Sequence, residues 1–248
     1  MEIDNDTQRI IQNFIRSLTG ADDAEIQNYI FEILSDNKFH DSIAAKVNLG
    51  TGEKPFSYKM LAVDVSSRLA LYVLCRTLKP SVVVETGVAS GMSSSFILRA
   101  LDKNTHGKLF SIDVPWHTVK QNWQTHPTDI EIIEQPIETQ SGWIIPDFLR
   151  DRWELTLGRS SKKLPLLLKQ VGQVDVFFHD SEHSYENMSW EFQTIWQSLR
   201  KGGVLMAHNI DIHTAFADFE RKAGGNSFKL SGLNNDGQMM FSGGKVKE

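Results

Sequence analysis

Apolar residues recur three to four positions apart along the first 55 residues, which is the spacing of amphipathic helices. These apolar positions are Ile10, Ile11, Phe14, Ile15, Leu18, Ile26, Tyr29, Ile30, Ile33 and Leu34. The pattern predicts a helical cap over residues 1–55. A Gly/Thr/Lys/Pro segment at 50–55 interrupts it, and a longer amphipathic helix is predicted from about residue 57 to 78, where Lys79-Pro80 stops it.

After Pro80 the pattern changes to short β-branched runs that alternate with helical stretches, as in βαβ units built on a parallel sheet. The predicted strands are 82–85, 108–112, 153–157, 174–179, 203–207, 227–230 and 238–242. Only a short turn separates the last two, so they can pair as an antiparallel hairpin. The sequence therefore predicts an α/β fold with a doubly wound, seven-stranded, mostly parallel sheet and a terminal hairpin.

The second and third predicted strands are separated by residues 114–152, which is too long for a plain βα connection. This segment is rich in Trp, His, Pro and Ile. We expect it to be a substrate-covering insertion within one domain, residues 56–248. Its aromatic side chains could line an acceptor pocket or be buried as ordinary core.

Composition narrows the class of protein. The chain has 248 residues, 40% hydrophobic and 23% charged, as in ordinary globular proteins, and its one cysteine, Cys75, allows no intrachain disulfide. Residues 1–9 do not resemble a signal peptide, and charges interrupt the most apolar window, 61–78, so we expect a cytoplasmic protein without a membrane span. A net charge of -5 with scattered basic residues disfavours nucleic acid. A small-molecule partner is favoured, and a homodimer is left open.

A buried strand at 82–85 leads into a turn with Gly87 and Gly91 and then into a helix. Without Cβ atoms, both glycines let the backbone turn tightly and approach a ligand, while the helix offers unpaired N–H groups and Ser93, Ser94 or Ser95 can cap it. The dinucleotide fingerprint G-x-G-x-x-G is missing, which disfavours NAD. A purely structural glycine turn is the alternative.

Asp113 ends the second predicted strand, 22 positions after Gly91. In a doubly wound fold an acidic side chain there can accept both ribose hydroxyls, although an acidic residue at a strand end is also common on surfaces. Together with the glycine turn, Asp113 points to a nucleoside ligand.

The pattern Glu85-x-Gly87-x-x-x-Gly91, with Asp113 and the terminal strand pair, resembles class I S-adenosylmethionine-dependent methyltransferases over about residues 50–242. The small-molecule group, which includes macrocin-type sugar O-methyltransferases and, more distantly, catechol O-methyltransferase, is similar in the run His179-Asp180-Ser181-Glu182-His183-Ser184-Tyr185. The resemblance implies a Rossmann-like fold and O-methylation of a hydroxyl on a sugar, polyketide or phenolic natural product. It also implies a set of cofactor-binding residues: Glu85, Gly87, Gly91 and Ser93 at the methionine end, Asp113 at the ribose, Ser160 at the adenine, and Asp180 beside them.

Asp180 follows the fourth predicted strand and His208-Asn209 follows the fifth, so these side chains should converge at the carboxyl edge of the sheet. The resemblance to metal-dependent families implies an aspartate at the first place and an Asp-Asn or Asp-Asp pair at the second, so Asp180 and Asn209 match that pattern and His208 departs from it. Magnesium prefers oxygen ligands, so an imidazole would shift selectivity towards manganese, iron, nickel or zinc, or abolish binding. The sequence leaves two alternatives: a metal held by Asp180, His208 and Asn209, or a metal-free site with His208 as base or orienter.

His183 lies three residues after Asp180, where the resemblance to catechol O-methyltransferase places a lysine that deprotonates the acceptor. A histidine has an unperturbed pKa near 6.5 and could take the same proton, or it could merely cap a helix or pair with a carboxylate. His183, His208 and Asp180 are therefore the catalytic candidates. A nicotinamide-dependent oxidoreductase and a catalytically silent binding protein remain as rival interpretations.

Overall fold

The computed structural model describes residues 3–51, 63–114, 140–233 and 239–248. The elements in chain order are α1 (Asn5–Thr19), α2 (Asp23–Leu34), α3 (Asn37–Thr51), α4 (Val65–Leu78), β1 (Val82–Thr86), α5 (Met92–Lys103), β2 (Lys108–Asp113), a 3-10 helix (Asp147–Arg152), β3 (Trp153–Leu157), α6 (Ser160–Val171), β4 (Val174–His179), α7 (Tyr185–Ser198), β5 (Leu199–Ala207), α8 (Ala215–Ala223), β6 (Ser227–Leu233) and β7 (Met239–Val246).

Seven strands of the described chain form one sheet in the order β3-β2-β1-β4-β5-β7-β6. The first five are parallel, and β7 pairs antiparallel with both β5 and β6. This arrangement confirms the predicted Rossmann-like fold with its terminal hairpin. β5 begins four residues before the predicted start at 203, because Leu199 already pairs with Val174; the register then shifts before Val204 pairs with Val176, and Gly202 in this irregularity has φ +74°.

The N-terminal helices pack into the core of the sheet. Asp4 and Asp22 cap α1 and α2 with their side chains, and the apolar faces of the two helices are buried with those of α4 and α5 in one cluster. Gly244 on β7 permits this contact, because a Cβ there would lie 2.8 Å from Phe14 and Leu18. α3 continues to Thr51, and residues 52–62, which include the rest of the predicted break, lie outside the described residues.

The other face of the sheet is covered by α6, α7 and α8. The apolar stripe of α7 is core as its spacing indicates, since Met188, Phe192 and Ile195 are fully buried. Cys75 is also buried, and burial raises the pKa of its thiol, so it is an inert core residue. No helix among the described residues has the length and apolar character needed to cross a bilayer.

The described end of the predicted insertion is part of the core. Ile144, Ile145 and Leu149 are buried against α4 and α5, and residues 140–145 lie beside the turn that follows β1. The prediction of a substrate-covering segment therefore concerns residues 115–139, which lie outside the described part of the chain.

Candidate active site

The turn between β1 and α5 is built from left-handed backbone at alternate positions: Gly87 has φ +85°, Ala89 +47° and Gly91 +96°. A Cβ on Gly87 would lie 2.1 Å from the carbonyl oxygen of Asp180, so only glycine lets the ends of β1 and β4 touch. Gly91 is the N-cap of α5 and makes no side-chain capping bond. The first backbone amides of α5 lie at the carboxyl edge of the sheet, and no capping side chain accepts their hydrogen bonds. They are therefore able to donate to an anionic or polar ligand.

Glu85 braces this turn from inside the protein. Its side chain is fully buried and accepts hydrogen bonds from the hydroxyls of Ser93 (2.6 Å), Ser94 (2.6 Å) and Ser111 (2.8 Å). Burial outweighs these donors and raises the pKa of Glu85 to about 7. The family resemblance implies that Glu85 and Ser93 lie at the methionine end of a cofactor; in the structure the hydroxyl of Ser93 donates to Glu85 beneath the turn.

Asp113 ends β2 next to the same turn. Its Oδ1 accepts from the amide of Val88 at 3.1 Å, its other oxygen accepts from the hydroxyl of Ser141, and burial raises the pKa of the carboxyl above its ordinary value. The amide of Gly158 donates to the Asp113 carbonyl at 2.8 Å, which holds the loop before α6 against β2. Ser160 starts α6, but its hydroxyl donates to Asn187 of α7 at 3.3 Å.

Asp180 and His208 meet at the ends of β4 and β5, as the sheet topology predicts. His208 Nδ1 lies 3.0 Å from Asp180 Oδ1, and His208 Nε2 lies 3.3 Å from Oδ2 of Asp64, the N-cap of α4. Burial works to lower the pKa of His208, but the two carboxylates outweigh it and raise the pKa to about 10. Although burial opposes it, His208 likewise lowers the pKa of both aspartates. His208 is therefore a buried cation held between two anions.

His183 is the most exposed member of the group. Its Nε2 lies 3.5 Å from Asp180 Oδ1 and 3.4 Å from Asn209 Nδ2, and its side chain is 23% exposed against 1% for His208. Asn209 has φ +55°, a conformation that asparagine tolerates better than most residues. Of the three predicted catalytic side chains, His183 is thus the one that a bound molecule can reach.

Sequence reasoning missed two parts of this site. Asp64 was read only as a charge that interrupts an apolar window, and its sole local signal is the capping pattern with Ser67, whose amide and hydroxyl donate to it. Glu191 was also missed: it is fully buried, lies 2.7 Å from His179 Nδ1, and accepts from Thr86 at 2.6 Å. The second pair lies directly beneath His183, whose ring centroid is 5.4 Å from that of His179.

The donor set does not fit the magnesium ion of metal-dependent relatives. Asp180, His183 and His208 bring three ligand atoms within 4.8 Å of one another, but two of these atoms are imidazole nitrogens, whereas magnesium takes oxygen. In addition, a protonated His208 carries a proton on each ring nitrogen and so has no free lone pair for a metal. Asn209 lies beside His183, 3.4 Å from its Nε2. We therefore route no chemical step through a metal.

The chain is similar to known proteins in its family and in its fold. The family model described as "Methyltransferase domain" matches residues 84–210, which is 127 of 248 residues, and no curated protein matches the chain. Cofactor-bound Rv0187 from MTB has 18% identity and a TM-score of 0.60 over 86% of this chain and 91% of that one. The O-methyltransferase TomG from Streptomyces achromogenes, in complex with SAM, has 17% identity and a TM-score of 0.60 over 84% and 90%. An O-methyltransferase from Bacillus cereus, in complex with SAH, has 15% identity and a TM-score of 0.57 over 94% and 100%. At these identities the likeness is one of fold.

Proposed function

Since the chain belongs to the methyltransferase domain family, we propose that it transfers a methyl group from S-adenosylmethionine to a hydroxyl group of a small molecule. The observation that carries the proposal is the meeting of two kinds of residue at one sheet edge. The first kind belongs to the glycine turn, the candidate cofactor site, where Gly87 contacts Asp180. The second kind is the candidate base, His183, which lies next to Asp180. A methyl donor on the turn would thus lie next to a group able to take the proton of an acceptor. Both similar O-methyltransferases named above carry SAM or SAH, which supports this cofactor. The family match gives no support to the nicotinamide alternative.

We assign the cofactor to the residues around the glycine turn. The first amides of α5, which follow Gly91, are offered to the cofactor, Asp113 is the acceptor for the ribose hydroxyls, and Ser160 at the start of α6 stays the candidate for the adenine. Glu85 and Ser93 support the turn from beneath. When bound, S-adenosylmethionine supplies a methyl group on a positively charged sulfur, which an acceptor oxygen can displace.

We assign the acceptor proton to His183 Nε2. This ring is the exposed imidazole of the group, and a neutral imidazole nitrogen can accept a proton. Once protonated, Nε2 faces Asp180 Oδ1 at 3.5 Å, and this carboxylate stabilises the imidazolium. His208 is not suited to this role, because it already holds its proton between two carboxylates. We propose instead that His208 keeps Asp180 ionised and fixed.

The experiment is transfer of labelled methyl from S-adenosylmethionine to a panel of sugars, polyketides and phenols, each beside a counterpart that lacks the free hydroxyl. We expect label only on hydroxyl-bearing acceptors. His183→Gln should slow transfer about 100-fold to 10,000-fold, the usual contribution of a general base. His106→Gln is the matched control, because His106 bonds to Ser81 before β1, away from the carboxyl edge. Label on the counterparts, or equal rates in both variants, would contradict the assignment.

Two finer points remain predictions. A cytoplasmic location rests on the single cysteine, which fits a reducing compartment. A homodimer is compatible with the sequence, and gel filtration with light scattering would test it.

A further inference from the structure

A second strip of backbone lies on the glycine turn, formed by residues 140–145. The amide of Gly142 donates to the Ala89 carbonyl at 2.9 Å, and the amide of Ile144 donates to the Ser90 carbonyl at 3.1 Å. A Cβ on Gly91 would lie 2.8 Å from the Cα of Gly142, so the two backbones are in direct contact. The turn is therefore covered on one side by residues far from it in sequence.

This strip is fixed by its own neighbours. Gly142 has φ +73°, and a Cβ there would lie 2.3 Å from the ring of Trp153. Arg150 Nη2 donates to the Gly142 carbonyl at 2.9 Å, and the indole of Trp153 donates to Ser111 at 3.0 Å. Ile145 is fully buried. Ser141, next to Gly142, is therefore held at a defined position against the end of β2.

At that position the hydroxyl of Ser141 donates to Oδ2 of Asp113. The backbone amide of Val88 donates to Oδ1 of the same carboxylate at 3.1 Å, and the amides of Ala89 and Val114 also face it. Donors of the backbone and of Ser141 therefore surround the carboxylate. Asp113 is 8% exposed, so a ligand has little solvent around the carboxylate that it could replace.

A ribose that binds Asp113 must therefore displace one of these donors. Three are backbone amides of the turn and of the end of β2, and moving them would disturb the turn itself. Ser141 is the one donor of the four on a side chain, and rotation about a single bond removes its hydroxyl. We propose that Ser141 is a placeholder for a ribose hydroxyl: it holds the acceptor position in the free protein and leaves it when the nucleoside binds. The inference rests on the proposed use of S-adenosylmethionine.

The exchange has a measurable consequence. One hydrogen bond to Asp113 is broken for each one that the ribose forms, so Ser141 weakens binding of a ribose ligand and has no such effect on a ligand that lacks the hydroxyls. Ser141→Ala should therefore bind S-adenosylhomocysteine about 3-fold to 10-fold more tightly than the wild type, the range that one hydrogen bond represents. The 2′,3′-dideoxy counterpart of S-adenosylhomocysteine should bind the wild type and Ser141→Ala equally.

Isothermal titration calorimetry at pH 8 measures these four affinities, because Asp113 must be ionised in every protein compared. Ser141→Thr retains the hydroxyl and should match the wild type. If Ser141→Ala does not fold, Ser141→Cys keeps the shape with a weak donor and should show the same selective gain. Weaker or unchanged S-adenosylhomocysteine binding by the variant, or an equal gain for both ligands, would overturn the placeholder while the proposed function stands. Absence of binding to every protein would overturn both.

Discussion

Gly87→Ala should lower both the stability of the fold and the affinity for the cofactor, because Gly87 is where the glycine turn after β1 contacts Asp180 at the end of β4. Two costs add. An alanine at φ +85° is in left-handed backbone, which costs about 1–2 kcal/mol. Its Cβ would also lie 2.1 Å from the Asp180 carbonyl oxygen, and overpacking of this kind costs about 1–3 kcal/mol. The variant should therefore lose roughly 2–5 kcal/mol of unfolding free energy.

Gly20→Ala is the matched control, because Gly20 has φ +71° with nothing within 4 Å of an added Cβ. It should cost only the backbone strain of about 1–2 kcal/mol. Urea unfolding followed by circular dichroism measures both free energies, and calorimetry with S-adenosylhomocysteine measures binding. Of the two variants, only Gly87→Ala should bind S-adenosylhomocysteine more weakly, because the Asp180 backbone must move to make room for the alanine Cβ. Equal unfolding free energies and equal affinities in the two variants would refute the reasoning.

Three further predictions concern the buried cation. The pKa of His208 is raised from 6.5 to about 10, so the stabilisation of the fold by the protonated ring is complete below pH 6.5 and is lost as pH rises through 10. The difference in unfolding free energy between wild type and His208→Gln should therefore fall by on the order of 4 kcal/mol across that window. A difference that stays constant with pH would contradict this prediction. A chelator should leave labelled methyl transfer by the wild type unchanged, whereas His208→Asp supplies oxygen ligands and should gain a rise in Tm with magnesium; loss of wild-type transfer to the chelator would show a metal site. Asp64→Asn keeps a capping residue but removes a charge from His208, so it should cost roughly 1–3 kcal/mol more than Asp22→Asn, its exposed counterpart at the start of α2; equal unfolding free energies would contradict it.

Periodicity predicted the sheet because each strand is a short apolar run between turn residues. The same topology predicted that Asp180 meets the His208-Asn209 pair, since parallel strands end at one edge. It could not predict that β5 begins at Leu199, because a Gly-Gly pair is typical of a turn, whereas here it lies at a register shift between the Leu199–Val174 and Val204–Val176 pairs. The extent of each strand is decided by its neighbours rather than by its own residues.

Two contacts that sequence reasoning missed join residues that are distant in sequence. Asp64 and His208 are 144 positions apart, and a lone aspartate before a helix reads as a cap whether or not a histidine lies behind it. Ser141 likewise reaches Asp113 from the far end of a long connection. Such pairs depend on tertiary packing, which no local pattern records.

The central claim is that the glycine turn and Asp113 form a site for S-adenosylmethionine, and calorimetry with S-adenosylhomocysteine tests it most directly. The control for Asp113→Asn is Asp175→Asn, a carboxylate that also accepts backbone amides but lies at the start of β4, where it binds Ser81 and Val82. We predict that the wild type and Asp175→Asn bind the ligand alike, while Asp113→Asn binds it at least about 10-fold more weakly, because charged hydrogen bonds to the ribose are lost. No heat of binding with the wild type, or equal affinity in Asp113→Asn, would contradict the account.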